Sequence, residues 1–170
     1  MNIATTQYSL SRKMFEIYVA GCRKHPCKGC YTKELWPETV GKELNDKKYI
    51  ELGESIIRAI SMIDNFMICG GEILEKPKEE VLELITFLKQ FMKPIWLFTR
   101  FELKDVDTDI LDNIDYIKTG MYLQDKQTED NISYGYKLAS SNQAIYKKND
   151  NKWEKDIVKR KKNTRKRVKL

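Results

Sequence analysis

Residues 14–31 read MFEIYVAGCRKHPCKGCY. The first seven, Met14–Ala20, are rich in β-formers and stop at Gly21, the pattern of a buried strand that runs into a turn. Three cysteines follow within nine residues: Cys22, Cys27 and Cys30, separated by four and then two residues. Thiolates are soft ligands suited to zinc or iron–sulfur centres. Pro26 and Gly29 supply turns that a regular helix or strand does not offer, so a compact loop here can aim three sulfurs at one centre. The first expectation is therefore a metal centre at the carboxyl end of a strand.

Outward from this stretch, strand and helix signals alternate. Tyr49–Met62 places Ile50, Leu52, Ile56, Ile57 and Ile60 at roughly helical spacing, and Asn65–Cys69 is a short apolar run stopped by Gly70-Gly71. Lys78–Met92 repeats the helical pattern after Pro77, and Pro94–Thr99 reads as another buried strand. Asp105–Asn113 is a short helix, Ile114–Thr119 a strand ending at Gly120, and Ala144–Lys147 a last strand. This alternation is the mark of βαβ units on a parallel sheet with right-handed crossovers. Four or five strands are too few to close a full barrel, so the expected fold is α/β, a compact partial (β/α) barrel with mainly parallel strands. Ligands in such sheets sit at the carboxyl ends of the strands. Cys22, Gly70-Gly71-Glu72, Thr99 and Thr119 all lie just past such ends and are expected to converge.

The chain of 170 residues is one domain's worth, with 41% hydrophobic and 33% charged residues. No run of 18 apolar residues is present, and the N-terminal MNIATTQYSLSRKM lacks the apolar run of a signal peptide, so a cytoplasmic protein with no membrane contact is expected. Clustered cysteines in a reducing compartment point to metal or catalysis rather than disulfides. The net charge of +6 is unevenly spread: residues 151–170 hold ten Lys/Arg against two acids, residues 1–150 hold 21 against 23. The expected organisation is one domain over residues 1–150 and a solvated, flexible basic tail over 151–170. Nucleic acid is not an expected partner.

Several readings of the cysteine loop compete. A structural zinc site wants four ligands, and His25 would complete a Cys₃His set, although it lies only two residues from Cys27 and three from Cys22. Four-cysteine iron–sulfur sites also want a fourth ligand. Three cysteines without a fourth leave one iron open to a substrate or cofactor. Reduced, non-ligating thiols are the remaining possibility. Further along, Gly70-Gly71 permits close backbone approach to a ligand. Glu72 offers a carboxylate to a cationic amine. Cys69 ends a strand and reads as a small core residue, with membership of the cluster left open.

Taken together, Gly21-Cys22, Cys27-Lys28-Gly29-Cys30-Tyr31, Glu34, Trp36, Gly70-Gly71-Glu72, Trp96-Leu97-Phe98-Thr99, Asp115–Gly120 and Ser140-Ser141-Asn142-Gln143 resemble the radical S-adenosylmethionine (SAM) superfamily. More closely, they resemble the activating proteins of anaerobic ribonucleoside-triphosphate reductase, over about Tyr8 to Trp153. Departures are a first cysteine gap of four rather than three residues, Thr32-Lys33 in place of Asn-Pro, Arg100 in place of a glycine, and Met121 where proline is common. The resemblance implies that Cys22, Cys27 and Cys30 bind three irons of a [4Fe–4S] cluster whose fourth iron holds SAM. It also implies that Gly70, Gly71 and Glu72 receive the methionine amino group, that Tyr31 lies near the adenine, and that Thr99 lines the pocket. The implied activity is reductive SAM cleavage, giving a 5′-deoxyadenosyl radical that abstracts hydrogen from a glycine of a partner glycyl radical enzyme. That partner is the large subunit of anaerobic ribonucleotide reductase, and reduced flavodoxin or a similar protein is the electron donor. The competing functions are a radical-SAM enzyme acting on a small molecule and a zinc-stabilised nucleic-acid-binding protein that uses the basic tail.

Overall fold

The computed structural model describes residues 1–23, 27–150 and 152–156. Strand β1 (Asn2–Ser9) turns through Leu10–Lys13 into β2 (Met14–Val19), and beyond the cysteine loop a two-residue strand β3 (Lys42–Glu43) leads into helix α1 (Asp46–Ala59). Then follow β4 (Asn65–Gly70), α2 (Lys78–Lys89), β5 (Ile95–Phe98), α3 (Thr108–Asp112) and β6 (Tyr116–Thr119). A small hairpin of β7 (Ile132–Ser133) and β8 (Tyr136–Lys137) precedes β9 (Ala144–Asn149) and β10 (Lys152–Lys155).

Eight strands form one sheet in the order β10-β9-β6-β5-β4-β2-β1-β3. The mixed α/β class agrees with the sequence reading, but the expectation of mainly parallel strands needs correction. Among the described residues the parallel arrangement is confined to β2, β4, β5 and β6. The flanks are antiparallel: β1 pairs with β2 and β3, and β9 with β6 and β10, and the links from β1 to β2 and from β9 to β10 are far too short for a parallel crossover. Strand β10 also lies within the segment read as a basic tail: Lys152–Lys155 pairs with β9. Residues 157–170 lie outside the described residues, as does His25.

The central strands β2, β4, β5 and β6 cross the sheet in chain order, and the helices between them pack on one face. Right-handed crossovers that always step the same way put every helix on the same side. Period-two alternation sorts the strand residues accordingly. Phe15, Ile17, Val19, Phe66, Ile68, Ile95, Leu97 and Ile117 join the helices' Leu52, Ile56, Val81, Leu84, Ile85 and Leu88 in the main core. Met14, Met67, Cys69 and Trp96 point to the other face, where Tyr136 and Leu138 from the hairpin region cover them. Trp96 and Tyr116 stack there with ring centroids 4.0 Å apart.

Helix α1 starts earlier than the apolar spacing indicates, because Asn45 caps it by accepting a hydrogen bond from the Lys48 amide at 3.1 Å. Its buried stripe is Leu52, Ile56 and Ala59; Ile50 and Ile57 stand on the outer side, 65% and 64% exposed. No helix among the described residues is long and apolar enough to cross a membrane.

These positions separate two substitutions that look alike in sequence. Ile56→Ala opens a cavity under α1 and is expected to cost about 2–5 kcal/mol. Ile57→Ala is expected to stay within about 0.5 kcal/mol. Denaturant unfolding of the two variants reads the difference, and equal losses would mean that α1 presents a different face.

Candidate functional site

Val19 and Gly70 are register partners at the carboxyl ends of the parallel pair β2–β4. The two loops that leave them, the cysteine loop and the Gly70-Gly71-Glu72 turn, therefore start side by side. Backbone hydrogen bonds then bind one to the other. Gly71 N–H donates to the Val19 carbonyl (2.7 Å) and Glu72 N–H to the Gly21 carbonyl (2.8 Å). On its other side the cysteine loop is held by Gly21 N–H to the Leu35 carbonyl (2.7 Å) and Cys22 N–H to the Trp36 carbonyl (2.9 Å). This approach leaves no room for a side chain at Gly71, where a Cβ would lie 2.5 Å from the Gly21 oxygen and 2.8 Å from its nitrogen. Gly70 has φ +104°, the left-handed region that glycine enters freely.

Glu72 is buried, and its carboxylate is engaged by the protein itself. It accepts from Leu74 N–H (3.1 Å), Thr99 Oγ1 (2.7 Å) and Arg100 N–H (2.8 Å). Burial pushes its carboxyl above the ordinary carboxylate value, opposed by these donors and by the Arg100 guanidinium. The carboxylate therefore ties the β4 loop to the end of β5. Thr99 is spent in the same way: its hydroxyl oxygen accepts from Phe101 N–H at 3.1 Å while donating to Glu72.

Past these ends lies a cleft of about 350 Å³ that Cys22, Cys27, Cys30, Tyr31, Gly70, Gly71, Glu72 and Thr99 all line. Every site residue read from the sequence thus faces one space. The three thiols are half-buried, and Cys30 Sγ receives the Thr32 amide at 3.4 Å. Burial, with Glu72 and Glu75 adding, pushes the Cys22 thiol up to about 11; a bound metal reverses such a shift by stabilising the thiolate. Among the described residues no three His, Cys, Asp or Glu side chains converge on a single metal-ion position. In a [4Fe–4S] cluster the cysteines bind separate irons rather than one ion. Tyr31 is 78% exposed at the rim, its ring 6.4 Å from that of Tyr122.

The cleft also holds residues the sequence reading did not assign. Cys69 lines it, its thiol pushed up to about 12 by burial and by Glu16. Trp36 Nε1 is buried without an acceptor among the described residues. Lys118, next to the carboxyl end of β6, donates to the Gly120 carbonyl at 2.7 Å, and burial lowers its ammonium to about 8. A lysine inside the apolar run Ile114–Thr119 was the available signal, since charge in a central strand asks for a reason. The Ser140–Gln143 segment, whose Gln143 lines the cleft, also braces it: Asn142 Nδ2 donates to the Met121 carbonyl (2.8 Å) and Gln143 Nε2 to that of Gly120 (3.2 Å), pinning the loop that carries Tyr122.

Residues 12–146 match the family described as "4Fe-4S single cluster domain". The chain belongs to this family. Among curated proteins, the cluster-domain chain is 24% identical over 139 residues to the "Anaerobic ribonucleoside-triphosphate reductase-activating protein" of Haemophilus influenzae, covering 77% of this chain and 85% of that one. No solved structure matches it. The family match and this relative bear out the resemblance carried by the cysteine and Gly-Gly-Glu motifs. The donor set fits the group that the family name specifies: three soft thiols on one cleft, with open space beside them.

Two outcomes follow for the cluster-domain site. Gly71→Ala forces the two loops apart, so it is expected to cost about 1–3 kcal/mol and to lower the iron and sulfide bound on anaerobic reconstitution. Full iron content in a destabilised variant would show that the loops do not set the cluster geometry. For Lys118, the folded value of about 8 lies below the unfolded 10.5, so the unfolded chain binds the extra proton between the two. Parent stability should therefore rise relative to Lys118→Met as pH increases from about 8 to 10.5. Unfolding of both proteins at several pH values checks it, and a constant difference would place the lysine in solvent.

Proposed function

We propose that the chain is a radical-SAM activase that reductively cleaves S-adenosylmethionine and installs a glycyl radical on a partner enzyme, an anaerobic ribonucleoside-triphosphate reductase. The observation that carries this reading is that Cys22, Cys27 and Cys30 share one open cleft with the Gly70-Gly71-Glu72 turn, in a chain of a single-cluster 4Fe–4S family. The name of the Haemophilus influenzae relative supports the choice of partner. The fold is read as a partial (β/α) barrel: the central strands step in one direction with all helices on one face, the winding that curls a sheet around its bare side. The reading includes a cytoplasmic location, a reduced flavodoxin or similar donor, and a single domain with a basic C-terminal extension.

Cys22, Cys27 and Cys30 would hold a [4Fe–4S] cluster, which when bound supplies the electron that breaks the sulfonium C–S bond of SAM. The protein's own part is binding, orientation and exclusion of water. The Gly70–Glu72 turn meets the methionine amino group through its backbone, since the Glu72 carboxylate is engaged by Leu74, Thr99 and Arg100. Lys118, whose ammonium lies beside Thr99, offers a cation to the ligand's carboxylate. Trp36 Nε1 offers a buried donor, and Tyr31 with Tyr122 forms an aromatic rim for the adenine. Thr99 shapes the pocket by fixing Glu72. The zinc reading loses support, because the family is described by a single 4Fe–4S cluster.

Anaerobic reconstitution with iron and sulfide is expected to give a [4Fe–4S] absorption and, after reduction, a paramagnetic signal that changes when SAM is added. Cys30→Ala is expected to abolish both the signal change and glycyl radical formation on the co-purified reductase. A protein that binds zinc and shows no SAM-dependent change would overturn the reading.

A further inference from the structure

Arg100 stands directly after Thr99, where the resembling family carries glycine, and its side chain is 14% exposed against two nearly buried carboxylates, Glu72 and Glu75 at 3% and 6%. The guanidinium pairs with Glu75 through its terminal nitrogen and lies 3.7 Å from Glu72 through Nε. Glu75 in turn accepts the Arg23 amide at 2.7 Å, the residue next to Cys22. A continuous chain of charge and hydrogen bonds thus runs from the end of β5 to the first cysteine.

We propose that Arg100 is a positioning residue for the cluster site: it offsets part of the negative charge of the buried Glu72–Glu75 pair and, through Glu75, fixes the cysteine loop at Arg23, so that the cluster meets less negative charge than the two carboxylates alone would present. The inference rests on the reading that Cys22, Cys27 and Cys30 hold a [4Fe–4S] cluster. Removing the guanidinium makes the surround of the cluster more negative and so disfavours adding an electron there, because the reduced cluster is the more negative state. Reduction potentials of such clusters follow net charge, hydrogen bonds to the sulfurs and burial. A forked, permanently charged guanidinium serves two carboxylates at once, which a lysine ammonium does less well.

The test is a redox titration of the reconstituted cluster at one pH, followed by its paramagnetic signal, in the parent, Arg100→Gln, Arg100→Lys, Glu75→Gln and the double variant Arg100→Gln/Glu75→Gln. Arg100→Gln is expected to shift the midpoint potential to a more negative value, Arg100→Lys by less, and Glu75→Gln to a more positive one. The double variant is expected to return towards the parent, which a purely structural loss does not do. If Arg100→Gln binds no cluster, the Glu75→Gln arm still decides. An unchanged potential in Glu75→Gln, or a double variant no closer to the parent than Arg100→Gln, overturns the proposal. A parent that binds no cluster overturns it together with the reading it rests on, whereas a parent with a cluster and variants without a shift overturns this inference alone.

Discussion

The meeting of Gly71 with Gly21 is the contact on which the site depends. Two parallel strands end in register, and each must release a loop into the same small space. Peptide groups can pack this closely only where no Cβ intervenes, and both loops then satisfy each other's backbone groups. The first cysteine and the Gly-Gly-Glu turn are thereby held in a fixed relation by main-chain hydrogen bonds rather than by side chains that can change rotamer. That relation is what a cofactor touching both loops would need.

Around this clasp, the sheet's winding decides which groups become available. Because the helices cover one face, the other face keeps its Met67, Trp96 and Tyr116 row, and the same alternation sends Cys69 and Lys118 towards the cleft. The hairpin β7–β8 and the Ser140–Gln143 segment close that face over its far end. The cleft is consequently bounded by sheet, cysteine loop and a pinned loop carrying Tyr122, while its rim at Tyr31 stays open. An open rim suits a reaction whose substrate is a segment of another protein.

Charge near the cleft is arranged in opposition. Glu72 and Glu75 are drawn in by Arg100 and by backbone donors, and Glu38 is held well below the usual carboxylate range by Arg23 and Lys76 on the outer side of the same loop. Buried carboxylates are tolerated where each has a cation and several donors. The cysteine loop is therefore laced at both edges, although its sequence shows only a run of basic residues. Thr32, at a position where the resembling family has asparagine, still serves the site by donating its amide to Cys30.

The sequence by itself determined the α/β class, the central strands and the residues that gather at their carboxyl ends. These follow from local periodicity and from punctuation by glycine and proline, which act within a few residues of chain. It did not disclose β1, whose NIATTQYS is a half-exposed, polar strand visible only once β2 and β3 flank it. Nor did it separate Ile56 from Ile57, because only packing against the sheet tells which side of α1 is inner. The engagement of Glu72 by Thr99 and Arg100, the bond from Glu75 to the cysteine loop and the turning of Lys118 into the cleft were decided by tertiary structure alone. The contacts of Glu72 and Glu75 join loops that leave different strands, and the energy of a buried charge depends on neighbours that only the folded chain brings within reach.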